Sequence, residues 1–205
     1  GEVEFSEGIG SQLNHARNDL DALITNLEHK GHYKLEGSNI EWSVKYTNED
    51  IRDRIVEWEV IDSAGFSINP PHTGGFNQQP YEAYQGPLVP FQDIRATNNT
   101  TISRLQGYLQ WSKRSEVGDH EVFYNAGVRY HNWSVEGDGI EKTSQGVFSP
   151  RVQFAIKPDW EKDMLFRLSG GLYYQPPFYR ELRGSDGVVN PDVKAQQSLH
   201  IVLAN

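Results

Sequence analysis

The side chains best equipped for chemistry are spread thinly along this sequence. Carboxylates crowd two stretches, Asp186 to Asp192 (with Asn190 among them) and Glu136-Gly137-Asp138. Either offers oxygen ligands of the kind calcium takes, yet neither has the spacing of a calcium-binding loop, and solvated turns are the simpler reading. The seven histidines show no metal-ligand spacing; His29 and His32, three apart, point to opposite faces of a strand. Signatures of zinc proteases, serine hydrolases, phosphate-binding loops and dinucleotide folds are missing. A glycosidase needs two carboxylates close in space, and nothing in the sequence singles out a pair. The expectation is a protein that is not an enzyme, with no metal and no cofactor. The aromatic residues give a different signal. Tyr81, Tyr84 and Phe91 sit among Pro80, Pro87 and Pro90, where a stiffened loop presents rings at low ordering cost. The alternative is a loop packed on its own side chains. Asn98-Asn99-Thr100 and Asn132-Trp133-Ser134 match glycosylation sequons, a pattern short enough to recur by chance.

The elements that must position these groups read as strands. In Leu105-Gln106-Gly107-Tyr108-Leu109-Gln110-Trp111 the odd positions are apolar or glycine, and Arg104, Gln106 and Gln110 take the even ones. From Val122 to Tyr130 the even set is apolar or aromatic, with Asn125 and Arg129 opposite. Phe148, Val152, Phe154 and Ile156 oppose Arg151 and Gln153; Met164, Phe166, Leu168, Leu172 and Tyr174 oppose Arg167, Ser169 and Gln175. Ile40, Trp42, Val44 and Tyr46 alternate with Glu41, Ser43 and Lys45, and Ala195, Leu199, Ile201 and Leu203 with Lys194, Gln196, Ser198 and His200. This period of two is the strand signal. Arg104, Arg129, Arg151 and Arg167 all fall opposite the large aliphatics. A transmembrane barrel must segregate charge in this way, because a lipid-facing cation costs about 2–4 kcal/mol near the midplane. A soluble sandwich segregates too, so alternation alone leaves open which face is inside.

The composition is compatible with both. Formal net charge is −9 and pI about 5.2, which disfavours a nucleic-acid partner. There is no cysteine, hence no disulfide scaffold. Mean hydropathy is −0.65, and no apolar run approaches the roughly 20 residues of a membrane helix. Barrel strands keep average hydropathy low because half their residues face the lumen. Gly1 without a preceding Met, and an end at Asn205 just after Leu199-His200-Ile201-Val202-Leu203, read as a chain cut at both ends.

The connections discriminate further. Glu36-Gly37-Ser38-Asn39, Val117-Gly118-Asp119 and Lys157-Pro158-Asp159-Trp160 read as short turns. Asp62 to Thr100, Glu136 to Gln145 and Pro176 to Pro191 read as longer loops. Short and long links alternate, so up-and-down strands gather the short turns at one end and the long loops at the other, the pattern of outer-membrane barrels. Trp42 and Trp111 near short turns, with Tyr130 and Tyr174 near long loops, fit two interfacial girdles; packed core aromatics are the alternative. Asp19 to Glu28 has helical spacing at Leu20, Leu23, Ile24 and Leu27, and Glu49 to Ile61 is ambiguous. Pro150 is expected near a strand end, and Trp133, on the polar parity, in a loop.

Several stretches resemble TonB-dependent receptors of the bacterial outer membrane. They are Asn14-His15-Ala16-Arg17-Asn18-Asp19-Leu20-Asp21, Tyr46-Thr47-Asn48-Glu49-Asp50-Ile51-Arg52-Asp53-Arg54, and Gln153-Phe154-Ala155-Ile156-Lys157-Pro158-Asp159-Trp160-Glu161-Lys162-Asp163. To these add Tyr174-Gln175-Pro176-Pro177-Phe178-Tyr179-Arg180-Glu181-Leu182 and Asn190-Pro191-Asp192-Val193-Lys194-Ala195-Gln196. The resemblance runs over nearly the whole chain and makes the segment from Asp19 a strand. It implies an all-β fold of antiparallel up-and-down strands forming part of a transmembrane β-barrel with long extracellular loops. Residues 1–205 are then one partial barrel of about seven strands, roughly a third of a barrel of about 22 strands, with the plug domain and the rest of the barrel missing.

The function so implied is uptake of a small nutrient (iron chelate, vitamin, glycan or peptide) energised through TonB, which acts through the missing N-terminal part. Outer-membrane lipid and the plug are the other partners. Tyr81, Tyr84, Phe91, Tyr179, Arg180 and Arg183 are then expected at the ligand-facing mouth, and Arg104, Arg129, Arg151 and Arg167 facing the lumen or plug. The competing reading is a soluble β-sandwich, either a carbohydrate-binding module or a glycoside hydrolase.

Overall fold

The computed structural model describes residues 13–60 and 91–205. Its strands are β1 (Leu13–Ala16), β2 (Asp19–Leu35), β3 (Ser38–Val60), β4 (Phe91–Val117), β5 (His120–Gly137), β6 (Ile140–Lys157), β7 (Phe166–Gln175) and β8 (Gln196–Ala204), with one helical turn, α1 (Tyr179–Leu182). They form an antiparallel up-and-down sheet in the order β1-β3-β4-β5-β6-β7-β8, with β2 also paired to β3. The all-β expectation holds, and both ambiguous segments, from Asp19 and from Glu49, are strand.

Two-residue turns close three hairpins: Glu36-Gly37, Gly118-Asp119 and Asp138-Gly139. Each contains a glycine at positive φ (66°, 62° and 74°), a conformation that a Cβ makes costly. The third turn corrects the sequence reading, which expected a longer loop from Glu136 to Gln145. Ladder pairing instead runs from Glu121↔Lys157 to Gly137↔Ile140, with one irregularity between Val135 and Gly137. Ser134, Glu136, Lys142 and Ser144 read as loop because a strand wetted on one face has loop-like composition there. The link after β6 is longer than expected, 158–165, and takes in Met164. Phe91 opens β4, so the strand begins inside the stretch read as loop up to Thr100.

Contacts divide the chain into two compact units. One draws, among the described residues, on 13–21, 52–60, 91–98 and 184–188. In it β1 pairs with the end of β3 through Leu13↔Val60 to Ala16↔Glu57. Asn18 then interrupts the ladder: its Oδ1 accepts from the Val56 N–H (3.1 Å) and its Nδ2 donates to Glu57 (2.6 Å). Gly187, at φ 80°, lies against Ile55, Ile94 and Ala96, and Asn98 Nδ2 donates to its carbonyl (2.9 Å).

The second unit holds Ala22–Ile51, Asn99–Arg183 and Val189–Asn205. Its register fixes the two faces, because residues directly opposite in an antiparallel ladder share a face. Leu109↔Val128↔Pro150 and Trp111↔Ala126↔Val152↔Gly170↔Ile201 make one face aliphatic. Tyr108↔Arg129↔Ser149 and Gly127↔Arg151↔Gly171 run along the other, as do Arg104↔Trp133 and Ala155↔Arg167. All four arginines therefore share a face opposite the large aliphatics. Pro150 stands mid-strand rather than near an end, which corrects the expectation. It lies just where the β6–β7 ladder stops at Arg151↔Gly171; beyond it the Tyr174 N–H bonds the Ser149 hydroxyl instead (3.2 Å).

The core lies at the end of the sheet that carries the 176–195 link. Ile51, Ile102, Trp133, Val135, Leu182 and Val189 pack together, with Ile140, Val147, Tyr179, Val193 and Ala195 against them. Ile102 and Val135 are fully buried. Trp133 is thus a strand residue, not a loop residue as its parity had implied. It is on the arginine face, opposite Arg104.

Candidate functional site

Along the arginine face, β2 to β5 form two adjoining concavities that share Lys45 and Gln106. The first, about 400 Å³, is lined among others by Asn26, Lys45, Glu49, Arg104, His131 and Trp133, with Pro176 and Phe178 at its rim. The second, about 430 Å³, is lined by Glu28, Lys30, Ser43, Lys45, Gln106, Gly107, Tyr108 and Arg129. Period-two alternation, once the strands are in register, delivers these side chains to one wall. Odd positions of β3 and even positions of β2 and β4 meet there, as the Thr47–Asn26 (2.7 Å) and Ser43–Glu28 (3.3 Å) hydrogen bonds show.

Arg104 is the best-held group in the first concavity. Its Nε donates to Glu49 (2.9 Å) and its Nη2 to the Pro177 carbonyl (2.9 Å), which ties β3, β4 and the 176–195 link together. Arg151 donates to Gln110 (2.6 Å), and Arg129 lies 5.8 Å from the Tyr108 ring centroid. Arg104, Arg129, Arg151 and Arg167 are thus gathered on one wall. Three groups at the first concavity lack partners: the Trp133 indole Nε1 and both ring nitrogens of His131 are buried without a hydrogen bond.

The predicted mouth residues are only partly brought together. Tyr81 and Tyr84 lie outside the described residues, and of Phe91 only the strand backbone is described. Tyr179, Arg180 and Arg183 belong to α1 and its C-cap. Tyr179 packs against the core, with the Arg183 guanidinium 5.9 Å from its ring centroid, and Arg180 is exposed. The acidic stretches do turn chemistry: Asp186 accepts from the Val188 N–H and Asn190 from the Asp192 N–H, both at 3.0 Å, while Asp138 accepts from Asn99 (2.7 Å). Among the described residues no group of three or more histidines and carboxylates is placed to hold a metal. Sequence reasoning missed Lys45, Glu49, Gln106, His131 and Phe178 as wall and rim residues. The available signal was parity, which puts Lys45 and Glu49 on the face of Arg104 once the β3–β4 register is known.

No protein-family profile, curated protein or solved structure matches this chain.

Proposed function

We propose that this chain is a stretch of the wall of an outer-membrane β-barrel of the TonB-dependent receptor type, which takes up a small nutrient. One observation carries the reading: apolar residues change faces along the same strands. Toward the end that carries the Glu36-Gly37 and Gly118-Asp119 turns, the aliphatic face exposes Val44, Leu109, Val152 and Leu168, each more than half accessible, while the opposite face carries the arginines. Toward the 176–195 link, the arginine face turns apolar and buried at Ile51, Ile102, Trp133 and Val135. There the formerly aliphatic face bears Asn48, Ser103, Asn132, Ser134 and Ser144. A soluble sheet keeps its apolar residues facing one core along its whole length. An outward apolar band that gives way to an inward core is what a strand needs when it leaves lipid for water.

The dimensions agree. From Val122 to Tyr130 the aliphatic face of β5 runs about 27 Å at about 3.4 Å per residue. A strand tilt of about 40° reduces this to about 21 Å, against a barrel's apolar band of about 25 Å. Aromatic pairs stand on this face, Tyr124–Phe154 (5.6 Å) toward one end and Tyr130–Phe148 (4.7 Å) toward the other, as interfacial girdles do.

The edges support the same reading. Leu199, Ile201 and Leu203 on β8, and Leu23 and Leu27 on β2, are exposed on strands with no further partner among the described residues. Long apolar edges invite aggregation unless paired, and further barrel strands supply the pairing. A β-sandwich needs a second sheet over the aliphatic face; the described strands form a single sheet. In this reading the arginine face looks onto the lumen and plug, and TonB acts through the plug. The test is the intact gene: a signal peptide and plug upstream, more alternating strands downstream, and recovery of the product in outer membranes support the reading. A product that stays in aqueous fractions without detergent refutes it.

A further inference from the structure

We propose that the concavity rimmed by Pro176 and Phe178 is a binding site for a small oxyanion-bearing solute, a carboxylate or a phosphate. The inference deepens the uptake reading and rests on it for the role of the site. Its volume, about 400 Å³, falls within the range of small-molecule pockets. The lining is rich in donors. Lys45 has no ion pair or hydrogen bond among the described residues, and Gln106 has none either. Arg104 commits its Nε and Nη2 and keeps further N–H groups. Trp133, only 1% exposed, has an indole N–H without an acceptor, and both ring nitrogens of the adjacent His131 are buried and unpartnered. A buried donor left unsatisfied is costly, so the wall behind the hollow is short of acceptors rather than of donors.

Charge points the same way. The chain as a whole carries a formal −9, yet the two adjoining concavities present four cations, Lys30, Lys45, Arg104 and Arg129, against two carboxylates. Both carboxylates are engaged: Glu49 by Arg104 (2.9 Å) and Glu28 by Lys30 (3.1 Å). Four cations thus share two carboxylates, and Lys45, which lines both hollows, lies within electrostatic reach of Glu28 without being ion-paired to it. A wall with this excess of cations draws an anion.

The test uses the protein expressed from its intact gene and purified from membranes in detergent. Citrate and inorganic phosphate are titrated separately, with glucose as the uncharged comparison, by calorimetry and by tryptophan emission. Citrate or phosphate is expected to bind and glucose not; which of the two binds identifies the oxyanion. Lys45→Gln is expected to weaken binding at least tenfold, and Lys162→Gln, on the exposed 158–165 link, to leave it unchanged. Because Lys45 makes no hydrogen bond or close ion pair among the described residues, membrane recovery of Lys45→Gln should match the parent. Absence of binding by both probes, or equal affinities in the parent and Lys45→Gln, overturns the inference, as does an experimental structure with another segment of the chain filling the hollow. A membrane-recovered protein that binds neither probe sinks this site and leaves the barrel reading standing. A water-soluble protein that binds through Lys45 does the reverse.

Discussion

Replacing Leu109 with arginine separates a lipid-facing surface from a water-facing one. Leu109 is 52% exposed on the aliphatic face, with Val128 directly across the ladder. If water covers it, the substitution is an ordinary surface change, worth within about 0.5 kcal/mol either way. If lipid covers it, a guanidinium near the midplane costs about 2–4 kcal/mol, about 30- to 900-fold in the folding equilibrium. Asn125→Arg is the matched control. Asn125 is on the arginine face between Ser112 and Gln153, in an open hollow that also holds Lys34 and Arg114; water screens that repulsion, so the expected cost is about 1 kcal/mol. Gln110→Arg falls between the two, because it removes the acceptor of Arg151 (2.6 Å) and sets two cations together. The assay is recovery of the intact gene product in outer membranes, followed by urea unfolding of the refolded protein in phospholipid vesicles. The expected order of loss is Leu109→Arg, then Gln110→Arg, then Asn125→Arg. Equal losses at Leu109 and Asn125, or no loss at Leu109, refute the argument from face inversion.

Other substitutions probe the core, the ion pair and the turns. Trp133→Ala removes the largest buried side chain of the cluster and should cost about 3–5 kcal/mol; faster proteolysis within the 176–195 link is the readout. Glu49→Ala leaves Arg104 half-buried with only the Pro177 carbonyl and should cost about 1–3 kcal/mol, while a double-mutant cycle with Arg104→Met should recover a coupling of about 1 kcal/mol or more. Gly118→Val, at φ 62° with open space around it, should destabilise by about 1–2 kcal/mol through backbone strain alone, seen as a lower urea midpoint with unchanged slope.

Alternation made most of the fold legible. It gave the strand class, the common face of the four arginines and two of the three hairpin turns. It failed where a single period carries two meanings. Trp133 looked misplaced because its parity matched Arg129 and Arg151; it is in fact the first sign that the buried side has switched. Ser134, Glu136, Lys142 and Ser144 looked like loop for the same reason, since beyond the apolar band water wets the face that was aliphatic below. The site was less legible than the fold. Lys45 and Arg104 are far apart in the chain, and only the β3–β4 register, which no local pattern encodes, makes them neighbours. The aromatic loop chosen as a ligand mouth was picked on composition, and composition carries no such register.

The inversion also bears on how the strands came to be so long. β4 has 27 residues, whereas the barrel wall we propose needs about 9–11 to cross hydrocarbon. Part of the surplus, residues 99–104, lies on the side of the 176–195 link, where Ile102, Val135 and Trp133 pack with the link's Leu182 and Val189. A link of this size left in water would hold its backbone polar groups and few buried contacts, at a large cost in conformational entropy when ordered. Extending β3 to β6 past the band supplies an apolar wall for it to pack against, and the Arg104–Pro177 hydrogen bond anchors its start. The same extension roofs the donor-lined hollow with Pro176 and Phe178. The arginine face therefore acquires a pocket only because apolar residues change sides above it; had the aliphatics stayed outward along all of β4, neither a folded link nor a rim would exist to hold a solute there.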